Sequence, residues 1–97
     1  MNTEEHMMWL RAPAYGLYHL DSLEESASGS YMYDIVPQFS SQFDEAAQAK
    51  ILAALEWAIA CDKVNWEDVL PALPHSDDFK RQHLVITRDR ILKSRSG

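Results

Sequence analysis

The 97 residues carry fifteen Asp and Glu against nine Lys and Arg, a formal charge of −6, and are 46% hydrophobic and 10% aromatic. That suits one domain, too apolar for a disordered chain and too low in Gly and Pro for a collagen-like or low-complexity one. The single cysteine, Cys61, excludes an internal disulfide and a four-cysteine zinc site, and no run reaches the roughly 18–20 apolar residues of a membrane helix.

In chain order, Thr3 is expected to cap a first helix from Glu4 to about Arg11, with Glu4 and Glu5 at the positive end of its dipole. Pro13 is expected to end it and to open a second helix, Ala14 to about Glu25, in which Gly16 is a weak point. Ser26–Ser30, small and polar throughout, reads as a loop. Tyr31–Val36 has strand-like composition but no second strand to pair with, so a short helix stopping at Pro37 is the preferred reading.

The clearest signal starts at Ser41, where Ser41 and Asp44 resemble a capping box. Phe43, Ala47, Ile51, Ala54, Leu55, Ala58 and Ile59 then follow at spacings of three and four, an amphipathic helix to about Cys61. Asp62–Asn65 reads as a turn, with Asn65 capping a short helix that carries Trp66, Val69 and Leu70. Pro71 and Pro74 impose a stiff connector, and Ser76 caps a last helix. Phe79, His83, Ile86 and Arg90 form one stripe of that helix, Leu84, Thr87 and Ile91 an adjoining one, and Ser94–Gly97 is expected to fray. The expected fold is all-α, a single small domain over residues 1–97 with about four to five helices and Ser41–Cys61 at its centre.

Charge is segregated. Residues 1–78 hold three cations against fourteen carboxylates, net −11, whereas residues 79–97 hold six cations against Asp89, net +5. Such asymmetry creates a directional field that steers charged partners, and the basic end can also neutralise the acidic body within the fold. The acidic start Met1-Asn2-Thr3-Glu4-Glu5 is unlike a signal peptide, so a cytoplasmic location is expected.

Catalytic constellations are not visible. His6, His19, His75 and His83 lack metal-ligand spacing, and Cys61 follows an apolar run at a helix carboxyl end, where a thiol is not activated. No Gly-x-Ser-x-Gly or phosphate-cradling glycine pattern occurs, and most acidic pairs fall in first helical turns, where the dipole accounts for them. No enzymatic activity, metal or cofactor is expected.

Binding is better supported. Glu24, Glu25 and Asp34 flank a segment containing Tyr31 and Tyr33, and tyrosine beside carboxylates combines apolar area with attraction for cations. Asp62, Glu67, Asp68, Asp77 and Asp78 occupy two helix starts that the proline connector can bring together. These ten residues are the expected partner-binding set. The competing reading is a solvated acidic surface with core tyrosines.

Ala54-Leu55-Glu56-Trp57-Ala58 and Leu70-Pro71-Ala72-Leu73-Pro74-His75-Ser76-Asp77-Asp78-Phe79-Lys80 resemble small bacterial immunity proteins, the cytosolic antidotes of contact-dependent and other polymorphic toxin systems. The resemblance spans about a third of the chain, Ala54 to Lys80, and transfers no interface residue. It implies an antidote that neutralises a cationic toxin domain, such as a nuclease, by tight binding. Two alternatives stand beside it. One is a phage or mobile-element inhibitor that mimics nucleic acid with its carboxylates; the other is a regulator that binds nucleic acid through Arg81, Arg88 and Arg90 of the last helix.

Overall fold

The computed structural model describes residues 2–61 and 64–96 and is all-α, with no β-strand among those residues. Six α-helices follow in order: α1 (Thr3–Tyr15), α2 (Leu23–Ser28), α3 (Phe39–Gln42), α4 (Glu45–Ala60), α5 (Trp66–Val69) and α6 (Asp77–Ser96). Two 3-10 turns, Gly16–His19 and Val36–Gln38, complete it. The expected small bundle is present, and α3 and α5, of four residues each, carry the helix count past five.

Three long helices make the core. Leu10 and Ala14 of α1, Ile51, Ala54, Leu55 and Ala58 of α4, and Leu84 and Ile91 of α6 are all buried. The α4 alanines let α1 approach closely, and α4 packs on α1 and α6 as the central helix expected from its periodicity. The short α5 seals one end with Trp66 and Val69. There Arg11 Nε donates to Val69 O at 3.1 Å, placing a cation on the last carbonyls of a helix.

Several expected boundaries move, each for a tertiary reason. Asn2, not Thr3, caps α1, its Oδ1 accepting from Glu5 N at 2.9 Å. Pro13 does not end α1, which runs on to Tyr15. The missing N–H removes one helical bond, and burial of Leu10, Pro13 and Ala14 on one stripe offsets it. The expected helix over Ala14–Glu25 is broken into the 3-10 turn, extended backbone at Leu20 and α2. Ser22 restarts the helix: its Oγ accepts from Glu25 N, and Glu25 Oε1 accepts in return from Asp21 N at 2.7 Å. The expected Ser26–Ser30 loop is therefore largely α2, ended by Gly29 at φ 75°.

Tyr31–Ile35 is neither helix nor strand, and a 3-10 turn begins at Val36 and runs through Pro37. Tyr33 turns the chain at φ 67°, and the Asp34 carboxylate, accepting from Val36 N, holds the bend. Asp44 rather than Ser41 caps α4, accepting from Ala47 N at 2.8 Å. Ser76 caps α6 as expected, accepting from Phe79 N at 3.1 Å, whereas the Asn65 side chain makes no capping bond to α5. Ser94–Ser96 continue α6; Gly97, and Asp62 and Lys63 of the expected turn, lie outside the described residues.

The proline connector is held from both sides. The Tyr18 hydroxyl donates to Pro71 O, His75 Nε2 to Leu20 O, and the His75 ring stacks on Phe79 at 4.0 Å. Ala72 sits at φ 53°, where an L side chain crowds its own carbonyl. Ala72→Gly relieves that crowding and loosens the unfolded chain, opposing effects with a net stabilisation of about 0.5–1 kcal/mol expected. A rise in the urea midpoint at unchanged slope is the expected readout.

Candidate functional site

The carboxylates and tyrosines singled out in the sequence fall into separate places, and the partner of one of them decides much of the arrangement. Asp34 is buried, and Arg90 of α6 grips it with two hydrogen bonds, 3.0 Å to Oδ1 and 2.8 Å to Oδ2. Arg90 also donates to Ser26 O at 3.2 Å, so one guanidinium fastens both α2 and the 31–36 segment to α6. Hydrogen bonding to Asp34 raises the Arg90 pKa further above its already high ordinary value, and the guanidinium stays charged. Gly29 makes room: a side-chain carbon there would meet the Arg90 guanidinium and lie 2.7 Å from Asp34 Oδ2. Its positive φ independently favours glycine.

Beside this pair, Tyr31 is half-buried with its hydroxyl donating to Asp34 at 3.3 Å. Burial, then the neighbouring Asp34 charge, pushes its pKa up to about 12. Its ring lies against Gly16, where an added carbon would come within 2.6 Å of it, and edge-on to His83. His83 is fully buried, with Nδ1 2.6 Å from Ser26 Oγ and Nε2 3.1 Å from Pro13 O. Because Pro13 O can only accept, Nε2 carries the proton and Nδ1 accepts from the serine hydroxyl. Ser and His within bonding distance resemble half of a nucleophilic triad, but Ser26 is sealed from solvent and its hydroxyl cannot meet a substrate. The network is a clasp.

The clasp holds an aromatic groove open to solvent. Tyr33, Met32 and Asp34 from the bend, Tyr15 from α1, and Gln42 and Phe43 from the segment before α4 line a groove of about 510 Å³. Tyr15, Met32 and Tyr33 are 42%, 61% and 54% exposed, large values for apolar side chains. The Tyr15 and Tyr33 rings meet edge to face at 4.9 Å, and His19 lies 5.0 Å from Tyr33. A grouped exposure of this kind marks a binding surface more than a scattered one does.

The second expected cluster forms an edge on another part of the molecule. Lys80 is buried with its ammonium 5.6 Å above the Trp66 ring and 3.3 Å from Asp77, which brings the starts of α5 and α6 together. Asp68 lines a depression with Glu4, Met7, Met8 and Arg11. Glu67 is exposed and accepts from Ala72 N, and exposed Asp78 accepts from Gln82 Nε2 at 2.6 Å. Asp62 lies outside the described residues.

Of the remaining expected residues, Glu24 is exposed on α2, and Glu25 serves its cap. The residues not anticipated are Tyr15, Met32, Gln42 and Phe43 of the groove and Ser26 and His83 of the clasp. The Ser22-x-x-Glu25 capping signal, which places Ser26 inside a helix, was present in the sequence as a lead. No group of three or more His, Cys, Asp or Glu converges as a metal site among the described residues, and no helix there is long and apolar enough to cross a membrane. Comparison with family models, with curated proteins and with solved structures gives no match.

Proposed function

We propose that this chain is an acidic binding protein that neutralises a cationic protein toxin by forming a tight complex, as a cytoplasmic immunity protein does. The observation that supports this most is where the cations of α6 go. Lys80 is buried against Trp66 and Asp77, Arg88 pairs with Glu56 at 3.1 Å, and Arg90 pairs with Asp34. These three of the six cations of α6 are engaged inside the fold or along it. None of Arg11, Lys50, Lys80, Arg88 or Arg90 forms an ion pair with the exposed carboxylates of Glu4, Glu24, Glu45, Glu67, Asp68 or Asp78.

The carboxylates of Glu4, Glu24, Glu45, Glu67, Asp68 and Asp78 stand exposed toward a cationic partner, and the pairing of Arg88 and Arg90 weighs against nucleic-acid binding through those two side chains. A basic toxin domain would be attracted at long range, with association rates of roughly 10⁸–10⁹ M⁻¹s⁻¹ at low salt. The exposed tyrosines then supply the short-range anchors that carry affinity.

The test uses the product of the gene beside this one, expressed together with the chain. A complex that survives purification is expected, with an association rate that falls about ten-fold or more as salt screens the attraction. Calorimetry that finds no heat of binding between the two purified proteins would sink the proposal.

A further inference from the structure

We propose that the tyrosine groove is a subsite for a guanidinium group, an arginine side chain of the partner that stacks on one of the Tyr15 and Tyr33 rings with its N–H edge toward the other. The inference rests on the capture reading above and adds where and by what chemistry the partner is gripped.

Four observations carry it. The first is electrostatic. No cationic side chain lines the groove among the described residues; its polar groups are tyrosine hydroxyls and the Gln38 and Gln42 amides, with an Asp34 carboxylate whose charge Arg90 already meets. Gln42 Nε2 donates to Gln38 Oε1, leaving the Gln42 carbonyl oxygen without a partner among the described residues. Aromatic faces carry the negative lobe of the ring quadrupole, so walls and rim alike favour a cation.

The second is ring geometry. The Tyr15 and Tyr33 rings stand at 83° to each other, so a flat ion that stacks on one turns its N–H edge to the other; Tyr18 meets Tyr15 edge to face and His19 lies beside Tyr33, yet both tyrosines keep exposed surface toward the groove. A guanidinium is planar and weakly hydrated, so it stacks where an ammonium would keep its water.

The third is preorganisation. Tyr33 is held at φ 67°, a backbone state uncommon for a bulky residue, and the bend carrying it is fastened by the Arg90–Asp34 pair. A ring positioned before binding loses less freedom on binding. The fourth is the contrast with the acidic edge, where the depression beside Asp68 contains Arg11 and no aromatic ring. That edge attracts any cation, but only the groove is built to prefer a flat one.

The intact protein titrated with N-acetyl-arginine amide, N-acetyl-lysine amide and N-acetyl-phenylalanine amide, followed by NMR, tests this. The arginine probe is expected to shift Tyr15, Met32 and Tyr33 resonances saturably in the millimolar range, several-fold more tightly than the lysine probe. Glycine accepts positive φ, so Tyr33→Gly removes the ring without adding backbone strain. It is expected to weaken the arginine probe about ten-fold, with the spectrum outside the groove unchanged. Tyr15→Leu, which keeps apolar bulk, is the second variant and should weaken the same probe.

Equal binding of the lysine probe, tighter binding of the phenylalanine probe, or shifts confined to Asp68 and Asp78 would each overturn the subsite. The neighbouring gene's product separates the two levels. If Tyr33→Gly captures it with unchanged affinity, the subsite is wrong and capture stands. If the wild type takes the arginine probe yet captures nothing, the capture reading fails and the subsite stands as a guanidinium site.

Discussion

Arg90→Ala is expected to destabilise the protein by about 3–5 kcal/mol, the cost of stripping the partner from a buried charge. The Asp34 side chain is 6% exposed and that of Arg90 22%, so the pair is screened far less than an exterior one. Without the guanidinium, the carboxylate keeps only the Tyr31 hydroxyl and Val36 N–H as donors among the described residues, and Ser26 O loses its 3.2 Å bond as well. For domains whose total stability is about 5–15 kcal/mol, this is a large share. The urea midpoint should fall with little change in slope. Asp34→Asn combined with Arg90→Met removes both charges while keeping bulk, and should be less damaging than Arg90→Ala alone. A loss under about 1 kcal/mol for Arg90→Ala would place the pair with exposed salt bridges and refute its role as fastener of the bend. The variant also reports on function: an unfastened bend should blunt the Tyr33 resonance shift produced by the arginine probe.

That same pair shows why the candidate site was only partly legible in the sequence. Helical periodicity reports neighbours three and four positions apart, and it located α4 and α6 with their buried stripes. Asp34 and Arg90 are 56 positions apart, and no local pattern says that one loop carboxylate folds inward while Glu24 faces water. Asp34 reads as a surface acid beside tyrosines; in the structure it is buried in the wall of a groove that Tyr15 and Tyr33 help to form. Tyr31 and Tyr33 are separated by two positions yet play opposite parts, one half-buried in the clasp and one exposed above it. The turn at Tyr33 makes that difference, and its positive φ on a tyrosine is a conformation no propensity scale would select.

Pro13 gives the complementary case. A proline usually ends a helix, yet α1 runs through Pro13, which is buried on the same stripe as Leu10 and Ala14 and whose carbonyl accepts from His83 of α6. The small polar run at Ser26 misleads in the same way. Its composition says loop, but Ser26 is a buried residue of α2 with its hydroxyl on the His83 ring of α6. Polar residues turned inward by partners distant in sequence account for most of what sequence reasoning missed.

His83 should make the fold acid-sensitive, because its ring is fully buried in the neutral form. Burial lowers its pKa below the ordinary 6.5, partly opposed by the bond to Pro13 O. The charged and titratable groups that act on it are Asp34, which favours protonation, and Arg90 and His75, which oppose it. In the unfolded chain the imidazole takes up a proton near pH 6.5, while the folded chain resists until lower pH. Below about pH 6.5 the unfolded state therefore binds more protons, and stability falls as pH falls, by at most about 1.4 kcal/mol per pH unit for this one group. Above that pH the contribution is fully present and flat. Folded His83 can be protonated only at Nδ1, which would turn the ring from acceptor to donor toward Ser26 and place a second cation beside Arg90. His83→Phe removes the titration and leaves the Ser26 hydroxyl and the Pro13 carbonyl short of a buried partner, at about 1–3 kcal/mol each. That variant should be less stable than wild type at neutral pH, with a shallower loss between pH 6.5 and 5. Urea titrations across this range would decide it: parallel pH profiles for the two proteins would mean that the acid sensitivity arises elsewhere than in the clasp.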